Sequence, residues 1–357
     1  MTLRDVTVRN RAWLPPMDQY SVFKQDGIPT DWHYQHYVSR AVGGFGLVLT
    51  EATAVSPEGR ISPNDVGLWN DAQQNTWKWI ADGIAATGAV PGIQLNHSGR
   101  KGSTGSFAVG FNGASVPQDQ GGWPTLAPSS VPFGSYAIPT ELSHEEIHRI
   151  IADFRSSAAR AVAAGFKVIE IHAAHGYLIS QFLDPLSNLR TDEYGGDLNS
   201  RLRFLVEVSD AIREVLPEGL PLFVRISATD WAQGGWDLDQ TVSAAQVSKR
   251  HGVDLIDVST GGIVPYVTVP VAPNYQVPFA AEVRAQAGIP TTAVGLIDKP
   301  KQAERILHKG WADAIEIGRA ALREPSWPLR AAHKLGLNRH EAPYPQQYLR
   351  GAYRDNA

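Results

Sequence analysis

Short apolar runs alternate with segments of helical periodicity along the whole chain, and the alternation repeats eight times. The runs predicted as strands are 12–17, 47–51, 90–95, 167–171, 222–227, 255–259, 291–294 and 314–317. Most are apolar almost throughout, as parallel strands covered on both faces are. Amphipathic segments predicted as helices follow them at 31–42, 71–87, 144–164, 199–216, 239–251, 278–287, 299–308 and 327–335. In the third, Ser143 and Glu146 form a capping box, and Ile147, Ile150, Ile151 and Phe154 make one apolar stripe. Eight β-then-α units predict a single (β/α)₈ barrel domain over residues 1–357. A doubly wound sheet is the alternative. No G-x-G-x-x-G joins a strand to a helix, and the GGFG at Gly43 to Gly46 has the wrong spacing, which favours closure.

The pattern breaks once at length. Residues 101–142, rich in Gly, Pro, Ser and Thr, are too many for an ordinary connection and follow the third strand. Barrel loops after strand C-termini build the active site, so this insertion is expected as a lid or short hairpin over the mouth. A second long loop, 179–198, follows the fourth strand. Composition narrows the partners: 43% apolar and 19% charged residues suit a chain with a substantial core. A net charge of -4 without a Lys/Arg run argues against nucleic acid or an anionic membrane and for a small-molecule partner. The absence of cysteine excludes disulfides, thiolate zinc sites and iron-sulfur clusters. No apolar run at the start resembles a signal peptide and none elsewhere reaches membrane-helix length, so the protein is expected to be cytoplasmic.

At the end of the fourth strand stands EIHAAHGY, residues 170–177. His172 and His175 could each aim an N–H at one carbonyl or nitro oxygen, and Tyr177 could give a proton to carbon. Two other readings stay open: the histidines satisfy loop backbone, or Glu170, His172 and His175 form a three-ligand metal site. After the seventh and eighth strands, Gly295 and then Gly318 with Arg319 match the phosphate site of such barrels, although loops favour glycine in any case. Gln94 and Arg225 interrupt otherwise apolar strands. A buried Arg implies an anionic or electron-rich partner, such as a reduced flavin, or a core carboxylate, for which Glu51 is available.

PPMDQY, EATAVSPEGRI, GIQLNHSGRK, IEIHAAHGYLISQFLDPLSNLRTDEYGG, FVRISATD and IGRAALREP, in this order, resemble the Old Yellow Enzyme family of flavin-dependent ene-reductases, in its thermophilic-like and xenobiotic-reductase branch. The resemblance covers nearly the whole chain. It implies non-covalent FMN at the barrel mouth, reduced by NADPH or NADH and reoxidised by an electron-poor alkene, with no metal. Pro16, Met17, Ala52, Gln94 and Arg225 would contact the flavin ring, and Gly295, Gly318 and Arg319 its phosphate. His172 and His175 would clamp the substrate oxygen, Tyr177 would protonate the α-carbon, Tyr20 would line the pocket, and Trp327 would either line it too or anchor the core. Arg350 would reach a neighbouring subunit's pocket from a C-terminal tail, 340–357, which implies a homodimer or homotetramer. The departure is Asp18, which stands where this branch usually has a cysteine beside the flavin; a carboxylate there predicts a different redox potential.

Overall fold

The computed structural model describes residues 1–106 and 114–354. Eight parallel strands close into a barrel: β1 (Ala12–Leu14), β2 (Leu47–Ala54), β3 (Val90–Asn96), β4 (Val168–Ala173), β5 (Leu222–Ser227), β6 (Leu255–Ser259), β7 (Thr291–Ala293) and β8 (Ala314–Glu316). Each strand pairs with the next in sequence, and β8 closes on β1 through Ile315 with Ala12 and Glu316 with Trp13. The helices that alternate with them are α1 (Asp31–Val42), α2 (Asp71–Ala85), α3 (His144–Ala163), α4 (Leu198–Val215), α5 (Leu238–Arg250), α6 (Val277–Ala287), α7 (Pro300–His308) and α8 (Trp327–Lys334), with two short helices, Leu178–Leu183 after β4 and Arg319–Arg323 after β8, at the mouth. The closed barrel is therefore the fold that the eightfold alternation predicts. On α3 the capping box forms, with Ser143 Oγ accepting the Glu146 amide and Glu146 Oε2 accepting the Ser143 amide. Ile147, Ile150 and Phe154 are buried, and Ile151 is half-buried.

Strand alternation stacks the barrel interior in layers. At the strand starts Trp13, Leu47, Leu49, Val168, Phe223, Leu255 and Ala314 pack together. Leu3, Val6 and Val8, carried on and beside a small antiparallel pair (Thr2–Leu3 with Val6–Thr7), join that cluster from below. Two residues further along the strands the layer turns polar: Glu170, Arg225, Asp257, Thr292 and Glu316, all buried. Two residues beyond that stand His172, Ser227, Ser259 and Gly318 at the mouth. A β-bulge interrupts the alternation in β2, where Thr50 pairs with Ile93 and Ala52 with Gln94, so that Glu51 is skipped.

The bulge changes what Glu51 does. Its carboxyl accepts the Tyr37 hydroxyl at 2.7 Å and the Gln19 amide at 2.9 Å, and it lies 3.5 Å from His33 Nε2, so it faces α1 and not Arg225. The insertion between β3 and α3 contains a short antiparallel pairing in keeping with the expected hairpin, a bridge between Thr104 and Ser115 with the Gly105 amide donating to the Ala114 carbonyl at 3.0 Å and the Val116 amide to the Ser103 carbonyl at 2.7 Å. Beyond it lie turns and one parallel two-residue pair, Leu126–Ala127 beside Thr140–Glu141; residues 107–113 of the insertion lie outside the described residues. Arg190 holds its base by donating to the Pro128 and Leu142 carbonyls at 3.0 and 2.7 Å. Asn188 closes the turn that presents Arg190, donating to the Phe182 and Tyr194 carbonyls at 2.7 Å each. The SNLRTDEYGG block is thus a structural clamp for the insertion.

Candidate active site

His172 is inward-facing on β4, and His175 follows in the loop with a left-handed backbone, φ 58. That conformation costs a non-glycine residue on the order of 1–3 kcal/mol and persists only where neighbours fix it. Here Ser227 Oγ accepts the His175 amide at 2.9 Å, and Lys101 Nζ donates to the His175 carbonyl at 2.8 Å and the Gly262 carbonyl at 3.1 Å. Gly262, φ 108, packs so tightly on this loop that a Cβ there would lie 2.5 Å from the His175 backbone. The strain is held by a three-loop junction at the mouth.

The two imidazoles converge, His172 Nε2 lying 3.4 Å from His175 Nδ1. His172 Nδ1 accepts the Ala174 amide at 3.2 Å, which leaves its proton on Nε2. On the far side of His175, Nε2 is 2.7 Å from Ser259 Oγ. Ser259 Oγ has a second acceptor in Gln276 Oε1 at 3.3 Å, which Thr260 Oγ1 shares at 2.7 Å, so the His175 tautomer follows the direction of the Ser259 hydroxyl. With that hydroxyl donating to His175 Nε2, the His175 proton sits on Nδ1 and both N–H groups point into the same space. Burial first, then for His172 the neighbouring His175, and for both the cations Arg225 and Lys101, hold the histidines well below the ordinary imidazole range, so both are neutral. Tyr177 sets its ring edge-on against His172 at 5.0 Å, with the Lys101 ammonium 5.1 Å over it. Burial, followed by Asp18 and Tyr20, pushes its phenol well up, which keeps the proton on oxygen.

Glu170 does not join the histidines. Gln94 Nε2 donates to it at 2.8 Å, and it lies with Asp257 and Glu316 in a buried carboxylate cluster. The cation inside that cluster is Arg225, 3.0 Å from Asp257 and 3.4 Å from Glu316. The reading of Glu170, His172 and His175 as one metal triad is corrected accordingly, and so is the pairing of Arg225 with Glu51.

Beside this layer, on β7 and β8, a cavity of about 290 Å³ is lined by Gly295, Gly318, Arg319 and Arg323, with Arg225 and Glu316 at its floor. Gly295 has φ 122, a backbone that side chains rarely adopt. At Gly318 a Cβ would meet nothing among the described residues nearer than 3.7 Å, so its backbone lies open to the cavity. Met17 Sδ lies 3.8 Å from that same point, which brings the Pro16 and Met17 segment to the cavity's edge. Asp18 Oδ1 accepts the Ala52 amide at 3.2 Å. Tyr20, with φ 51, and Tyr136 from the insertion act electrostatically on Tyr177 across the mouth. A phosphate cradle on one wall, an arginine in the floor and an oxygen clamp on the opposite strand, four places round the ring, fit an elongated anionic cofactor such as FMN lying across the barrel.

Two sequence-derived positions fall elsewhere. Trp327 is buried in the core outside the barrel, its indole N–H donating to the Asp298 carbonyl at 2.7 Å. It does not line the mouth; it supports the loop after β7 from behind, and this corrects its place as a pocket residue. Arg350 is exposed on a short turn, Gln346–Gly351. Lys101, Ser259, Thr260 and Gln276 escaped sequence reading; for the first three the only signal was the GRK and STGG that open the loops after β3 and β6.

The sequence model of the NADH:flavin oxidoreductase / NADH oxidase family matches residues 1–338. An NADPH dehydrogenase of Listeria innocua is 50% identical over 349 residues, 98% of this chain and 96% of that protein. The structure of an old yellow enzyme homologue from Zymomonas mobilis superposes with TM-score 0.79 at 28% identity, covering 95% of this chain and 92% of its own. A 2-naphthoyl-CoA reductase complex superposes with TM-score 0.84 at 25% identity, and there the chain spans about half of the larger protein, 52%, while 96% of this chain is covered.

Proposed function

Because the chain belongs to the NADH:flavin oxidoreductase / NADH oxidase family, the family of Old Yellow Enzyme, and is an FMN-dependent NAD(P)H oxidoreductase, we propose that it reduces the C=C bond of α,β-unsaturated carbonyl or nitro compounds. The observation that carries this reading is the convergence of His172 Nε2 and His175 Nδ1 on one point, 3.4 Å apart, with Tyr177 beside it. When bound, FMN takes hydride from the nicotinamide and supplies it to the alkene. Pro16, Met17, Asp18, Ala52, Gln94 and Arg225 face its ring, and Gly295, Gly318 and Arg319 hold its phosphate. His172 and His175 donate to the activating oxygen of the alkene and take up the negative charge that develops there as hydride reaches the β-carbon. Tyr177, kept protonated, delivers the proton to the α-carbon, and Tyr20 closes the pocket beside it. The clamp selects for an oxygen conjugated to a double bond, and simple alkenes lack it.

The test is anaerobic. The purified protein should show flavin bands that bleach with NADPH and return when 2-cyclohexen-1-one is added. Tyr177→Phe should bleach at the wild-type rate and recover about 10²–10⁴-fold more slowly, the range of a lost general acid. Equal recovery in the variant would remove Tyr177 from the reaction, and no recovery in either protein would remove the enone class.

A further inference from the structure

The polar layer beneath the mouth holds three carboxyls and one guanidinium, and this imbalance has an electrostatic consequence. Glu170, Asp257 and Glu316 each place an oxygen within 4.8 Å of the others, and Arg225 is the cation among them. All four are buried. Asp257 is the best supported as an anion: Arg225 Nε lies 3.0 Å from Oδ2, and Thr292 Oγ1 donates to Oδ1 at 2.6 Å. Among the described residues Glu316 has no hydrogen bond at either oxygen and Glu170 has none at Oε2; Asp257 Oδ2 and Arg225 Nε, though 3.0 Å apart, are not aligned as a hydrogen bond, so their contact is one of charge, and Thr292 supplies the one hydrogen bond to the Asp257 carboxylate. Three anions so close in a dry core would repel strongly, and like charges sharing a site are relieved by protonation. In line with that, burial and then Asp257 raise both glutamates, Glu170 to about 8 and Glu316 well above the usual carboxylate range. Arg225 and Glu316 also line the floor of the cavity described above.

We propose that Asp257 and Glu316 are positioning residues with different charge states: Asp257 is the anion that aims Arg225 and limits the positive charge the cofactor meets, and Glu316 is a neutral acid that adds none. Taken with a neutral Glu170, the layer carries one positive and one negative charge, and the side chain that sets the cofactor's redox potential from below is Asp257. This rests on the reading that the FMN ring lies over Arg225. Removing the Asp257 charge leaves the guanidinium uncompensated while Glu170 and Glu316 stay protonated, which the infrared carboxyl band of Asp257→Asn reports, and so favours the more negative, reduced cofactor; replacing Glu316 by its neutral isostere changes no charge.

The measurement is the midpoint potential of bound FMN at pH 7, by anaerobic dye-coupled titration, together with the dissociation constant of oxidised FMN. Asp257→Asn should bind reduced FMN at least tenfold more tightly relative to oxidised FMN, a rise of about 30 mV for two electrons. Glu316→Gln should keep that ratio within twofold. Arg225→Gln should lower the potential, and if it leaves both readings unchanged the ring does not lie over Arg225 and the placement itself fails. If Arg225→Gln lowers the potential while Asp257→Asn does not raise it, or if Glu316→Gln raises it, the division of charge is overturned. An infrared spectrum of the wild type offers a reading free of folding effects: a protonated-carboxyl band absent from Glu316→Gln supports the assignment, and an unchanged carboxyl region contradicts it.

Discussion

At Asp18 the chain places a carboxyl where its nearest resemblance has a thiol, and the surroundings determine what that exchange does. Burial first, then Asp65, pushes Asp18 up to about 7, while the Ala52 amide and Arg225 pull the other way. The sign follows from the acid's charge. Below that value Asp18 is neutral and can donate a hydrogen bond to the cofactor; above it Asp18 is an anion that opposes electrons arriving beside it. Reduction then draws a proton onto Asp18, so above pH 7 the midpoint potential of bound FMN should fall more steeply with pH, by at most one proton per two electrons, about 30 mV per pH unit. Asp18→Asn should lose that extra slope and sit above the wild type at alkaline pH. Spectroelectrochemistry on either side of pH 7 distinguishes the cases, and parallel lines for the two proteins would remove Asp18 from the cofactor's surroundings.

At the scale of elements, the strand ends matter more than the strands. Gly262, in the loop after β6, leaves room for the left-handed His175 backbone because it has no Cβ. Gly262→Ala should therefore displace the clamp: a cost of about 1–3 kcal/mol in stability from the strained backbone, and at least a tenfold loss in kcat/KM, since about 1.4 kcal/mol of lost alignment is tenfold. Urea melts and steady-state kinetics with an enone check both, and wild-type kcat/KM would mean the loop tolerates the shift. Much at this scale was legible beforehand. The predicted limits of β5, β6 and α1 agree with the structure, because burial on both faces or a clean apolar stripe leaves few alternatives. Gly295, Gly318 and Arg319 stood out because two glycines and an arginine fall together in the loops after the last two strands, and they line one cavity. What stayed hidden depends on register. The bulge at Glu51 has no local signature, so its carboxylate looked available to Arg225, and Asp257 and Glu316 gained their roles only when β5, β6 and β8 came together. Ser259, an ordinary strand-end serine in the sequence, becomes the partner of His175 Nε2 at 2.7 Å.

For the whole molecule, the unresolved question is what Arg350 does on the surface. The tail that carries it is anchored on its own chain, Tyr353 stacking on His333 of α8 at 4.7 Å and Pro343 packing near Gly44, which leads into the start of β2. Those anchors lie at the strand-entry side, away from the mouth built by the loops after β4 and β6. An arginine presented there serves a second copy of the chain more readily than its own pocket, which is the homo-oligomer we propose. Mixing two defective proteins tests this more sharply than size alone. An Arg350→Ala chain keeps Tyr177 but offers its neighbour no arginine; a Tyr177→Phe chain offers the arginine but cannot protonate. If the tail completes the neighbour's site, co-refolded mixtures should recover enone reduction above the sum of the two parents, and sedimentation should show more than one chain per particle. Additive activity, or a monomer at working concentration, would leave Arg350 a solvated surface charge.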